Sequence, residues 1–347
     1  GQMKVEPLEL HLAYDILDLT DPARGGDLLD RVRALRQQIA NDLGIVMPYV
    51  RTRDDVSLPP ATYRILLHGV EVGRGTAPRD RVLALPSGEG HELAALGAEE
   101  TVEPVFNLPA FWVPIEARGA AGAAGATVVD RSSVVVTHLA EVVRQHADEL
   151  LSRQQVQMLV EGLRYDEPLL AGDIGSDLLP LPVFHAVLRR LLADRVPIRD
   201  LGRIADAVGS RASETRSVEH LASAARVALG SSIVSRIAPD GRLAVVTIDP
   251  ALEAALHESL QEVDGVLHLV VDPARLQRLG AQIQQHVERH VGDTAPLAVV
   301  AGQVLRAPLA RAIAGLGLEV PTLAYPELPS HVHIDAIGVI DDAHANA

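Results

Sequence analysis

The chain contains no cysteine. That excludes a disulfide framework, a thiolate zinc centre and a cysteine nucleophile, and it suits a reducing compartment. Aromatic residues are also scarce, at 3% against 48% hydrophobic content, so the cores must be built from Leu, Val, Ile and Ala. Positive charge is in deficit: a formal net charge of −15 argues against general nucleic-acid binding and against docking on anionic lipid, since both need a basic face. No uninterrupted apolar stretch approaches the roughly 20 residues of a membrane helix, and the start of the chain does not read as a signal peptide. GxxxxGK[ST], HExxH and GxSxG patterns are absent as well, so the common phosphate-loop, zinc-protease and serine-hydrolase readings have no motif to stand on.

What is present is a succession of small pieces. A length of 347 residues fits several domains rather than one. Gly1-Gln2 ahead of Met3 reads as a remnant of tag removal. Leu8, Leu10, Leu12 and Tyr14 alternate as in a strand. From Gly25 to Asp55, Leu28, Val32, Leu35 and Ile39 recur at helical spacing behind a Gly25-Gly26 turn, with Asp27 expected to cap the helix and Gly44 to end it. Arg31, Arg33 and Arg36 fall on the other faces and read as solvated. Tyr49 to Arg53 alternates as a strand. Tyr63 to Thr76 reads as two strands around Gly69; its Gly73-Arg74-Gly75 lacks the following helix a dinucleotide site needs and is taken as a hairpin bend.

Residues 81–130 are irregular, broken by proline and glycine, and read as a small domain inserted into the first. Val134 to Thr137 is expected to be a strand leading into a helix with Leu139, Val143, His146 and Leu150 on one face. His138 and His146 lie too far apart for paired zinc ligands and read as surface or capping residues. Residues 152–237 are helical in pattern, with Ser217 capping a long helix to Ile237. From Arg242 onward strands and helices alternate, and Asp249-Pro250 and Asp272-Pro273 read as helix starts, which implies a partly parallel sheet. The expected class is α/β (α+β mixed) with four small domains: residues 11–80 plus 131–151, the insert 81–130, an all-α domain 152–237 and an α/β domain 238–341. A linker stub (1–10) and a polar, disordered tail (342–347) flank them.

Two places could carry chemistry. His331, His333 and Asp335 alternate on one strand face and could hold a metal ion, or form the wet face of an edge strand. Phe106 sits between Pro104 and Pro109 and either plugs the core or lines an exposed apolar groove; the residue pattern alone favours the core plug. Phe106, Phe111 and Trp112 nonetheless gather most of the large aromatic side chains in one place, and binding hot spots favour such residues.

Beyond these local patterns, GGDLLDRVRALRQQIANDLGIVMPYVRTRDD, LPPATYRILLHGVEVGRG, TVVDRSSVVVTHLAEVVRQHADELLSRQQVQ and VPIRDL together resemble the C-terminal cytoplasmic part of the FlhA and injectisome export-gate family of type III secretion. The resemblance runs from about Leu8 to Val339. It implies four small domains, no enzymatic activity, no cofactor, and attachment to the bacterial inner membrane only through an N-terminal domain missing here. It also implies a nonameric ring, with flagellar export chaperones carrying cargo and other export-apparatus proteins as partners. The family's docking motif, typically DPxFGL, corresponds to Glu103-Pro104-Val105-Phe106-Asn107-Leu108, and Thr137 matches a threonine of the same site. The resemblance therefore names Glu103, Pro104, Phe106, Leu108 and Thr137 as chaperone-binding residues, with Glu103 and Thr137 as polar rim contacts. Glu103 stands where the family has aspartate, Asn107 where it has glycine, and Gln155 where it has glutamate. The alternatives are an injectisome counterpart handling effectors, and a metal-dependent hydrolase built on His331, His333 and Asp335.

Overall fold

The computed structural model describes residues 4–342, so the expected tag remnant and nearly all of the expected tail lie outside the described residues. The chain divides into two compact units, residues 1–152 and 153–347.

In the first unit, strand β1 (Leu8–Leu12) leads through a 3-10 turn into helix α1 (Leu28–Leu43). The strand stops before Tyr14, which is solvent-exposed, so the alternation of leucines does not extend that far. Leu28, Val32, Leu35, Ile39 and Leu43 are the buried face of α1, as their spacing requires. A side chain at Gly26 would collide with the Asp18 carbonyl, and Gly44 ends the helix at φ 78°. Asp27 does not cap the helix: its carboxylate is taken by Arg31 Nε at 2.7 Å. Arg31 is not a solvated residue either. Its Nη1 donates to Ser133 Oγ at 2.6 Å and its Nη2 to Asp130 at 2.8 Å, tying α1 to a later helix.

Strands β2 (Arg51–Asp54), β3 (Thr62–Leu67) and β4 (Val70–Thr76) complete a four-stranded sheet ordered β2-β1-β3-β4, with β1 and β2 parallel across α1. The chain then builds a second four-stranded sheet, β6-β7-β5-β8, antiparallel throughout. It consists of β5 (Arg81–Leu85), β6 (Glu99–Val102), β7 (Pro109–Pro114) and β8 (Thr127–Val129), with short helices α2 (His91–Ala94) and α3 (Arg118–Ala123). Ile115 lies just past β7 and is exposed, unlike the buried Phe111, Trp112 and Val113.

Val134 to Thr137 belongs to no strand. It lies inside α4 (Arg131–Gln145), which α5 (Ala147–Leu150) follows. The Asp130 carboxylate accepts from the Ser133 amide at 2.8 Å and caps this helix, and Val135, Leu139, Val142 and Val143 form its buried face. A cap and a helical apolar stripe outweigh the modest strand preference of three consecutive valines. His138 is a core residue, 7% exposed, and shares a 2.7 Å hydrogen bond with the fully buried Tyr63. Gly73 and Gly75 are part of β4, not a hairpin bend. A Cβ on Gly75 would enter the Tyr63 hydroxyl, and one on Gly73 would stand 3.0 Å from His138 Nε2.

The second unit begins with helices α6 (Arg153–Asp166), α7 (Leu181–Ala193), α8 (Leu201–Ala212), α9 (Val218–Ala228) and α10 (Gly230–Ile237). Ser217 caps α9 as its sequence implies, but the expected long helix breaks at Leu229. There Gly230 lets the chain pass against the Glu327 carbonyl, where any Cβ would clash. A four-stranded parallel sheet follows, ordered β13-β12-β9-β14: β9 (Arg242–Ile248), β12 (Leu297–Ala301), β13 (Thr322–Ala324) and β14 (His333–Ile340). Helices α11 (Pro250–Glu258), α12 (Pro273–Arg289) and α13 (Gln303–Gly315) pack with it through Leu252, Leu256, Leu279, Ile283, Leu305 and Leu309. Asp249 and Asp272 cap α11 and α12. The apolar run around Leu267 does not join the sheet. It forms a separate hairpin of β10 (Leu260–Val263) and β11 (Val266–Leu269).

Two predictions follow from the Tyr63–His138 contact. Gly75→Ala should lower the melting temperature sharply, whereas Gly119→Ala, in the open on α3, should be neutral or stabilising by about 0.5–1 kcal/mol; equal melting temperatures for the two variants would contradict the packing. Burial holds the His138 imidazole below its ordinary value of 6.5, although the Glu103 charge acts the other way. The unfolded chain therefore binds the proton more tightly, and this contribution is intact above the unfolded value and lost as pH falls below it. Melting between pH 7.5 and 5.5 should thus be less pH-dependent for His138→Gln than for the unsubstituted chain.

Candidate functional site

The hairpin of β6 and β7 pairs Val102 with Pro109, and one further bond, from the Glu103 amide to the Leu108 carbonyl at 2.8 Å, closes its tip. Inside the tip the Glu103 side chain folds back on its own loop. One carboxylate oxygen accepts from the Val105 amide at 2.8 Å and the other from the Phe106 amide at 2.7 Å. Asn107 takes φ 55°. Asparagine tolerates this left-handed conformation better than most side chains, so it can stand where a glycine would be expected.

The consequence is an aromatic residue turned out of the fold. Phe106 is 73% exposed, flanked by Leu108 at 52% and Val102 at 57%. The expected core plug is thus overturned: the tip is too short to fold Phe106 under itself, and Phe111 and Trp112 already fill the interior of this sheet. Glu103 is 9% exposed, and its carboxylate is engaged by the loop's own amides. Its geometry is that of a positioning residue, not of a rim contact.

Beside the tip is a cavity of about 290 Å³ lined by Thr76, Val102, Pro104, Asn107, Trp112 and Val134, among others. Trp112 Nε1 donates to Thr76 Oγ1 at 3.3 Å, joining the second sheet to the end of β4. Arg81 secures the same strand by donating to the Trp112 carbonyl at 2.9 Å. Four of the five residues named by the resemblance, Glu103, Pro104, Phe106 and Leu108, therefore share one loop. Thr137 lies on α4, exposed, one helical turn past the cavity-lining Val134. Strand geometry would have pointed it differently; the helix puts it on the same side as Val134, about 5 Å further along.

Tyr63, His138, Gly73 and Gly75 also belong to this region, although no motif marks them. Burial, and to a smaller extent the Glu103 charge, push the Tyr63 phenol above its usual range, so these groups lie within electrostatic reach of one another. The available signal was the Gly-x-Gly spacing, which puts both glycines on one strand face and marks a close approach.

The His331, His333 and Asp335 trio does not assemble. His333 Nε2 pairs with Asp335 at 2.9 Å and Asp335 faces Arg242 at 3.4 Å, on the edge strand β14. Among the described residues no group of three His, Cys, Asp or Glu side chains could hold a metal ion. Nor is any helix of the described residues long and apolar enough to cross a membrane.

Known proteins resemble this chain over nearly its whole length. The flagellar biosynthesis protein FlhA of Yersinia enterocolitica is 36% identical over 307 residues, which are 88% of this chain but only 43% of that protein. The chain therefore spans less than half the length of that relative. The CdsV protein of Chlamydia pneumoniae has the same fold, with a TM-score of 0.81 at 21% identity and 98% coverage of both chains. Nonameric SctV-C from EPEC superposes with a TM-score of 0.75 at 20% identity, covering 98% of this chain and 100% of the other. Since the FHIPEP family pattern also matches residues 1–333, the chain belongs to the FHIPEP family.

Proposed function

We propose that this chain is the cytoplasmic docking platform of a flagellar type III export gate, anchored in the bacterial inner membrane by a segment outside this sequence. It receives export chaperones with their cargo. The observation that carries the reading is the exposed Phe106, held outward by the two Glu103 hydrogen bonds. Phe106, Leu108 and Val102 supply an apolar surface for a hydrophobic helix of the chaperone, and Thr137, exposed on α4, offers it a hydroxyl. The platform works by binding and assembly, without a catalytic step.

The 36% identity to a flagellar protein, against about 20% to CdsV and SctV-C, supports the flagellar reading over an effector-handling one. Likeness to nonameric SctV-C supports a ring of nine copies in the full assembly, and likeness to CdsV in its complex with CdsO supports the docking of other export-apparatus proteins. The four-domain partition belongs to the same proposal: relative movement of the insert 81–130 and the first domain would widen or narrow the groove beside Phe106.

Replacing Phe106 by alanine should weaken chaperone binding by about 2 kcal/mol or more while the melting temperature holds; an unchanged affinity in calorimetry would remove the basis of the proposal. Glu103→Gln should act indirectly. The Val105 and Phe106 amides should exchange hydrogen faster, and affinity should fall by roughly 1–2 kcal/mol as the charge-assisted bonds are lost. Weaker binding with unaltered amide protection would make Glu103 a direct contact instead.

A further inference from the structure

Strand β6 is an edge strand: it pairs with β7 on one side, and no strand lies on its other side among the described residues. The phase of that pairing decides which backbone groups are left over. In an antiparallel ladder, directly opposed residues alternate between pairs that exchange two hydrogen bonds and pairs that exchange none. The Glu103 amide bonds to the Leu108 carbonyl, and Thr101 and Val102 stand opposite Ala110 and Pro109. Thr101 is therefore bonded to β7, whereas Glu100 and Val102 turn their N–H and C=O groups outward. Pro109 fits this phase, since at an unbonded position it owes β6 no N–H.

Other long edges are blunted. Strand β14 shifts register between Ala336 and Gly338 and has His286 packed on Gly338, and β4 bulges between Glu71 and Gly73. Irregularities of this kind protect an edge from stray pairing. Strand β6 keeps an unbroken register with β7. It is continuous with the exposed Val102, Phe106 and Leu108, and beside Thr101 lies the cavity of about 290 Å³, whose lining also includes Leu83, Trp112 and Val134. Charge distinguishes the two acidic residues of the strand. Glu99 pairs with Arg81 at 3.2 Å, whereas Glu100, also exposed, has no ion pair among the described residues.

We propose that an unfolded segment of the exported cargo pairs with β6 as an added antiparallel strand. Its backbone bonds to the outward groups of Glu100 and Val102, which gives affinity, and its side chains supply selectivity. Successive residues of the segment lie opposite Val102, Thr101 and Glu100. The first is apolar and rests against Val102. The second turns to the other face of the sheet, where an apolar side chain enters the cavity beside Thr101. The third is Lys or Arg, opposite the unpaired Glu100. A second copy of β6 would instead bring Glu99 and Glu100 to an edge that already holds them, and like charges disfavour that pairing. That the segment belongs to cargo rests on the export-gate reading; the pairing itself needs no chaperone.

The probe is the blocked peptide acetyl-Ser-Val-Leu-Arg-Ser-amide, titrated into the whole chain with amide hydrogen exchange followed by NMR. At saturation the Glu100 and Val102 amides should exchange at least about tenfold more slowly, while that of Thr101, already bonded to β7, should change little. Methylating the backbone nitrogens of the peptide's Val and Arg keeps every side chain but removes the donors, and should abolish the protection. Glu100→Lys, at an exposed position, should weaken the peptide severalfold and favour a version with Glu in place of Arg. No protection at Glu100 and Val102, equal binding of the methylated peptide, or affinity unaltered by Glu100→Lys would overturn the proposal. A chaperone that binds Phe106→Ala as tightly as the unsubstituted chain would remove the docking reading and leave the peptide result standing, so the two fail separately.

Discussion

The Phe106 surface depends on one buried carboxylate. Glu103 satisfies two consecutive backbone amides that the hairpin tip cannot pair with its own strands, and doing so fixes the turn that presents Phe106. A charged acceptor is well suited to this, because its bonds to N–H groups are stronger than neutral ones and shorter in reach. An aspartate would bring the same charge on a shorter arm. In this chain the longer side chain spans both amides, and the left-handed Asn107 completes the turn without a glycine.

The same physical device recurs where elements meet. Asp130 caps α4 with one oxygen and receives Arg31 on the other, so a single side chain both starts a helix and fastens α1 to it. Glu327 receives the Arg226 fork and the Ala324 amide, while Gly230 allows the backbone to approach closely enough for that geometry. With few aromatic residues available, joints between elements rest on charged side chains, half-exposed at Arg31–Asp130 and buried at Arg226–Glu327. Such joints are demanding, since any donor or acceptor left over in a low-dielectric interior raises the free energy.

Much of the chain was legible without coordinates. The buried stripe of α1, its Gly44 terminus, the Asp-Pro helix starts and the two strands around Gly69 follow from local rules that act over a few residues. The long blocks that resemble the export-gate family likewise made the family legible. Local rules failed where two short-range interactions compete for the same residues. Asp27 is claimed by Arg31 before it can cap, and the valines of α4 yield to the Asp130 cap.

The sequence by itself determined the mixed α/β class, the leucine- and valine-built cores and the family, because composition, periodicity and long matching blocks are properties of the chain. Only the tertiary structure decided that Phe106 points outward, that Glu103 faces inward, and that His138 is buried against Tyr63. Those outcomes depend on which backbone amides are left unpaired and which spaces are already filled, and neither quantity exists until the chain has folded.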